Sequence, residues 1–102
     1  MRVRYSENAS GELHRILEYI AQENPTAAEA VARRIGAVID RLALFPGTGH
    51  SCDIEGVLVA PLVRFPYSIY YAVELGELLI LHVQHGARQP PELHEKAAPF
   101  HR

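Results

Sequence analysis

The chain has 102 residues, enough for one modest hydrophobic core, and its 48% apolar and 22% charged residues are those of an ordinary globular domain. A formal net charge of −2 argues against a protein that holds nucleic acid mainly through phosphates, because such proteins carry a marked excess of Lys and Arg. The lone cysteine, Cys52, excludes an internal disulfide and a Cys-rich zinc site, and it is expected to be a buried or inert thiol.

Arg2 to Tyr5 reads as a short first strand. The chain turns polar immediately after it, with no apolar run long enough for a signal segment or a membrane span, so a cytoplasmic location is expected. Ser6, Asn8 and Ser10 then offer three helix N-caps. Leu13, Ile16, Leu17 and Ile20 recur at the three- and four-residue spacing of one helical face. Asn24-Pro25 ends that helix and starts another, since asparagine caps well and proline suits the first helical position. Val31, Ile35, Val38, Ile39 and Leu42 form the apolar stripe of the second helix, and its alanines permit close packing in a helical hairpin.

Phe45-Pro46-Gly47-Thr48-Gly49 breaks the helical pattern, and a loop is expected to continue to about Gly56. Val57 to Val59 and Leu62 to Phe65 read as one strand interrupted and bent by Pro61 and Pro66. From Tyr67 the alternation is regular, with Tyr67, Ile69, Tyr71 and Val73 on a face toward the helices and Ser68, Tyr70, Ala72 and Glu74 on the other. Glu74-Leu75-Gly76-Glu77 fits a hairpin loop, and Leu78 to Val83 is apolar enough on both faces for a central strand. Gln89-Pro90-Pro91 closes the sheet, and the tail from Glu92 to Arg102 is expected to be a short helical turn or mobile. The expected architecture is a single α+β domain over 1–102: an N-terminal strand, an antiparallel helical hairpin, then a three-stranded antiparallel run completing one sheet.

The basic residues are nearly all arginine, with Lys96 the only lysine, which favours bidentate contacts to carboxylate or phosphate over diffuse cationic attraction. That chemistry suits a protein partner at least as well as RNA. His82 and His85, three apart in a strand, point to opposite faces and cannot share an ion, so no metal and no cofactor are expected. Tyr67 and Tyr71 are expected in the core.

Several segments, in order and at matching spacing, resemble the RelE/ParE toxins of type II toxin–antitoxin systems. They are Leu13-x-x-Ile16-x-x-Tyr19-Ile20-Ala21 before Asn24-Pro25, Leu42-x-x-Phe45-Pro46, Phe65-Pro66-Tyr67-Ser68-Ile69-Tyr70-Tyr71, and His85-Gly86-Ala87-Arg88. The resemblance implies a growth inhibitor held inactive by a cognate antitoxin in a hetero-oligomer. RelE-like members cut mRNA in the ribosome, and ParE-like members act on DNA gyrase. RNA cleavage needs a group to take the 2′-hydroxyl proton, one to protonate the leaving oxygen and a cation beside the phosphorane. In the YoeB-like branch an arginine precedes the Ile69-Tyr70-Tyr71 segment and a His-Tyr pair follows the last strand. Here those places look like Ser68, Gly86 and Ala87.

The ending His85-x-x-Arg88 is similar to the ParE-like branch, which implies a toxin that binds gyrase and is not itself an enzyme. No catalytic residue is assigned on this reading. Arg64, Tyr70, His85 and Arg88 are candidates to contact the target or the antitoxin, being residue types suited to large, hydrogen-bonded contacts. Arg64 could equally pair with a surface carboxylate, and His85 could cap the strand end. A ribosome-dependent mRNA endonuclease, with Arg64, Tyr70, His85 and Arg88 as an alternative set, and an inactive member that binds only antitoxin are the competing readings.

Overall fold

The computed structural model describes residues 1–86. Strand β1 (Arg2–Tyr5) leads into helix α1 (Glu7–Glu23) and helix α2 (Pro25–Leu44). After a 3-10 turn at Pro46–Thr48 come β2 (His50–Ser51), β3 (Leu58–Pro61), β4 (Tyr67–Glu74) and β5 (Glu77–His85). The five strands form one sheet in the order β1-β5-β4-β3-β2. β1 runs parallel to β5, and the later strands pair antiparallel.

Ser6 is the cap the sequence left open among three, its Oγ accepting the Ala9 amide at 3.0 Å. The same hydroxyl donates to Leu81 O at 2.8 Å, which ties the start of α1 to β5. Asn24 closes α1 through its own amide and opens α2 by accepting the Ala27 amide at 3.0 Å, with Pro25 next in the chain. The apolar stripe of α2 packs onto the sheet face carrying Ile69, Tyr71, Leu78, Ile80 and Val83, the largest fully buried side chains. Each such aliphatic side chain contributes about 1.5–3 kcal/mol on leaving water.

The buried Tyr71 hydroxyl donates to Pro46 O at 2.7 Å and accepts the Gly49 amide at 3.0 Å, so the turn after α2 is tied to the middle of the sheet. A Cβ at Gly49 would collide with that hydroxyl and ring, which is why glycine stands there.

The sequence expectations need three amendments. His50–Ser51 forms a short edge strand where only loop was expected. Leu62 to Phe65 is a turn, not the second half of a strand: β3 ends at Pro61, and Arg64 holds a φ of 82° that an extended strand cannot contain. A bulge in the β4–β5 ladder, where Tyr70 faces His82 and Tyr71 faces Ile80, leaves Leu81 as an extra residue. Gln89-Pro90-Pro91 and the tail from Glu92 to Arg102 lie outside the described residues. Among the described residues no helix is long and apolar enough to cross a membrane.

Candidate functional site

The register fixes which side chains share the sheet face turned away from the helices. Val59, Tyr70 and His82 face one another across β3, β4 and β5, and Ser68 faces Gln84. The bulge allows this, because it turns His82 and Gln84 to that face while Ile80 and Val83 both stay in the core. An RNA-cleaving set on this face would need exposure. Ser68, Tyr70 and His82 retain only 3%, 6% and 5% of theirs. Tyr70, expected on an open face, is therefore buried; burial and the neighbouring Cys52 push its hydroxyl up from its ordinary value. Cys52, in the segment after β2, lies close enough to Tyr70 to act on its hydroxyl, and its Sγ donates to Val57 O at 3.6 Å.

His82 belongs to a polar cluster that sequence reasoning did not find. Its Nδ1 donates to Glu12 at 2.8 Å, and the same carboxylate accepts the Val83 amide at 3.0 Å and Gln84 Nε2 at 3.1 Å. Burial alone would raise the Glu12 carboxyl. The hydrogen bonds and the charge of His82 outweigh it and hold the group below its ordinary value of 4.5. Glu12 thus pins α1 to β5 and is committed to structure.

The accessible chemistry lies on the helix side. An open cleft of about 640 Å³ runs between α2 and the β3–β4 turn, with Ala30, Arg33, Arg34 and Ala37 on the helix wall and Val63, Arg64 and Phe65 opposite. A second hollow of about 320 Å³ shares Arg34 and Val63 and adds Arg41 and Thr48. Arg34 and Arg41, seven apart on α2, line one stretch of the same groove. Arg33 makes only a 4.0 Å exposed ion pair with Glu29. Among the described residues Arg34, Arg41 and Arg64 make no ion pair, and Arg34 Nε is buried with no acceptor. Arg64 is presented from a left-handed backbone conformation that only glycine adopts without cost. Apolar walls with convergent guanidinium groups suit an acidic, partly apolar peptide better than a naked polyanion.

The four sequence candidates do not form one constellation. Arg64 lines the cleft, Tyr70 is buried on the far face, and His85 stands exposed at the end of β5. His85 packs edge-to-face on Tyr67 with ring centroids 5.4 Å apart, on the face opposite Tyr70. Arg88 lies outside the described residues. The arginines of α2 were missed, although the seven-residue interval from Arg34 to Arg41 is the signal that could have found them. Among the described residues no group of three or more His, Cys, Asp or Glu is placed to hold a metal ion.

Comparison with known proteins follows the same lines. The family described as ParE toxin of type II toxin-antitoxin system, parDE, matches residues 3–90. A Sinorhizobium fredii protein named as a toxin, Y4kP, is 34% identical over 92 residues, covering 90% of this chain and 95% of its own. Toxin RelE2 of Caulobacter vibrioides is 33% identical over 89 residues, covering 85% and 97%. Among solved structures, the chromosomal ParDE TA system from P. aeruginosa superposes with a TM-score of 0.75 at 22% identity, over 84% of this chain and 96% of that one.

Proposed function

This chain belongs to the ParE toxin family of type II toxin–antitoxin systems, and on that footing we propose that it inhibits growth in the cytoplasm by binding DNA gyrase, without cutting RNA. One observation carries the choice of target. On the sheet face away from the helices, Ser68, Tyr70 and His82 are 3–6% exposed, and Glu12 is held by three donors. A scissile phosphate must come within hydrogen-bond reach of its acid and base, and among the described residues Tyr70 and His82 on this face are too buried to serve. A toxin that poisons another enzyme needs contact surface and no chemistry of its own.

A cognate antitoxin neutralises the toxin by laying an acidic segment in the arginine-lined cleft. The cleft-lining Arg33, Arg34 and Arg64 support this, because guanidinium groups pair well with incoming carboxylates. Arg64, at a φ of 82°, lines the opposite wall.

Induction of the chain without antitoxin tests the target. Loss of plasmid negative supercoiling and gyrase-linked DNA breaks are expected, with mRNA intact in primer-extension maps. Codon-phased mRNA cuts appearing before any change in supercoiling would contradict the reading and favour ribosome-dependent cleavage.

A further inference from the structure

Arg64 sits in a turn whose shape its neighbours impose. Pro61 ends β3, and Pro66 stands immediately before β4. Between them the Leu62 amide donates to Tyr67 O at 2.9 Å and the Tyr67 amide to Phe65 O at 2.8 Å, while the Gly86 amide, past the end of β5, donates to Pro66 O. The turn is clamped to β4 and to the chain leaving β5, and its backbone at position 64 is held at a φ of 82°.

Glycine adopts such a backbone without steric cost, and an arginine does not. The chain itself places glycine at positive φ at Gly56, Gly76 and Gly86; among the described residues only Arg64 and Leu75, in the β4–β5 hairpin turn, depart from that choice. The fold does not use the Arg64 side chain. It is exposed, and among the described residues it makes no hydrogen bond or ion pair. An arginine kept against the backbone's preference, with no bond inside the fold, points to a contact made outside it.

Its position says what that contact takes. Arg64 lines the cleft beside Val63 and Phe65, across from Arg33 and Arg34, and no acidic side chain is among the residues lining it. Glu29 meets Arg33 at 4.0 Å on the exposed helix surface, which leaves Arg34 and Arg64 without a carboxylate among the described residues. We infer that Arg64 is the residue by which the cleft recognises its antitoxin: the guanidinium takes a carboxylate of the acidic segment in a bidentate pair, while apolar side chains of that segment lie on Val63 and Phe65. The inference rests on the antitoxin seat proposed above and adds which side chain selects the occupant.

Three variants, titrated calorimetrically with the purified cognate antitoxin, test it. Arg64→Gly removes the guanidinium and suits the backbone, so it should melt no lower than wild type yet bind antitoxin at least about ten-fold more weakly, as for loss of an interface arginine. Arg64→Asn, which also tolerates this backbone, should lose as much, so the loss is not glycine's flexibility. Arg64→Lys keeps the charge without the planar fork and should fall between Arg64→Gly and wild type. Wild-type affinity in Arg64→Gly, with or without a change in self-association or gyrase inhibition, would overturn the inference, and so would a lower Tm, which removes its premise. Arg34→Glu in the same titration separates the two readings. If Arg34→Glu weakens binding and Arg64→Gly does not, the seat stands and the inference fails; if neither weakens it, both fail.

Discussion

Glu12 shows how one side chain joins distant parts of this chain and what that does to stability. Its carboxylate accepts from His82, Val83 and Gln84, residues seventy or more positions away. With the folded carboxyl held below 4.5, the unfolded chain binds the proton more readily. The stabilisation is therefore complete at neutral pH and is lost as pH falls through the folded value. Glu12→Gln is expected to cost about 1–3 kcal/mol at pH 7, the range for charge-assisted bonds to a partly buried group. Urea denaturation at several pH values checks the sign: the gap between variant and wild type should narrow as pH falls through the lowered folded value of the Glu12 carboxyl and vanish below it. A gap that widens on acidification would mean that the carboxylate opposes folding.

The second helix has two faces with different work. Val31, Ile35, Val38, Ile39 and Leu42 bury one face in the core, and beside it Arg33 and Arg34 line the cleft and Arg34 and Arg41 the adjoining hollow. The apolar stripe was legible because core burial repeats along a helix and so leaves a periodic trace. The cleft was not, because its opposite wall, the turn carrying Val63 and Arg64, comes from a segment that reads as strand until its backbone is known. Arg34→Glu places a like charge where an acidic segment is proposed to lie. Affinity for the cognate antitoxin in isothermal titration should fall at least about ten-fold, with Tm within a few degrees of wild type. Unchanged affinity would move the antitoxin seat elsewhere.

At the scale of the whole molecule, the order of the first strand, the two helices and the β4–β5 hairpin could be read directly from the sequence, whereas β2 and the turn after β3 could not. Asn24-Pro25 placed the helix junction, and the alternation of β4 separated Ile69 and Tyr71 from the far face. Burial of that far face was not legible. Alternation says which side a residue takes, but the burial of Tyr70, with Cys52 near it, depends on long-range packing, and turning His82 beside it needs the extra residue Leu81. Those two features leave Tyr70 and His82 buried on that face, which is what the proposed choice of target rests on. The most direct test is reconstitution of the purified chain with DNA gyrase in a supercoiling reaction, beside a parallel reaction with programmed ribosomes. A binding toxin should inhibit supercoiling or trap cleaved DNA, be reversed by stoichiometric antitoxin, and leave ribosome-bound mRNA whole. Unaffected gyrase together with cut mRNA would contradict the account.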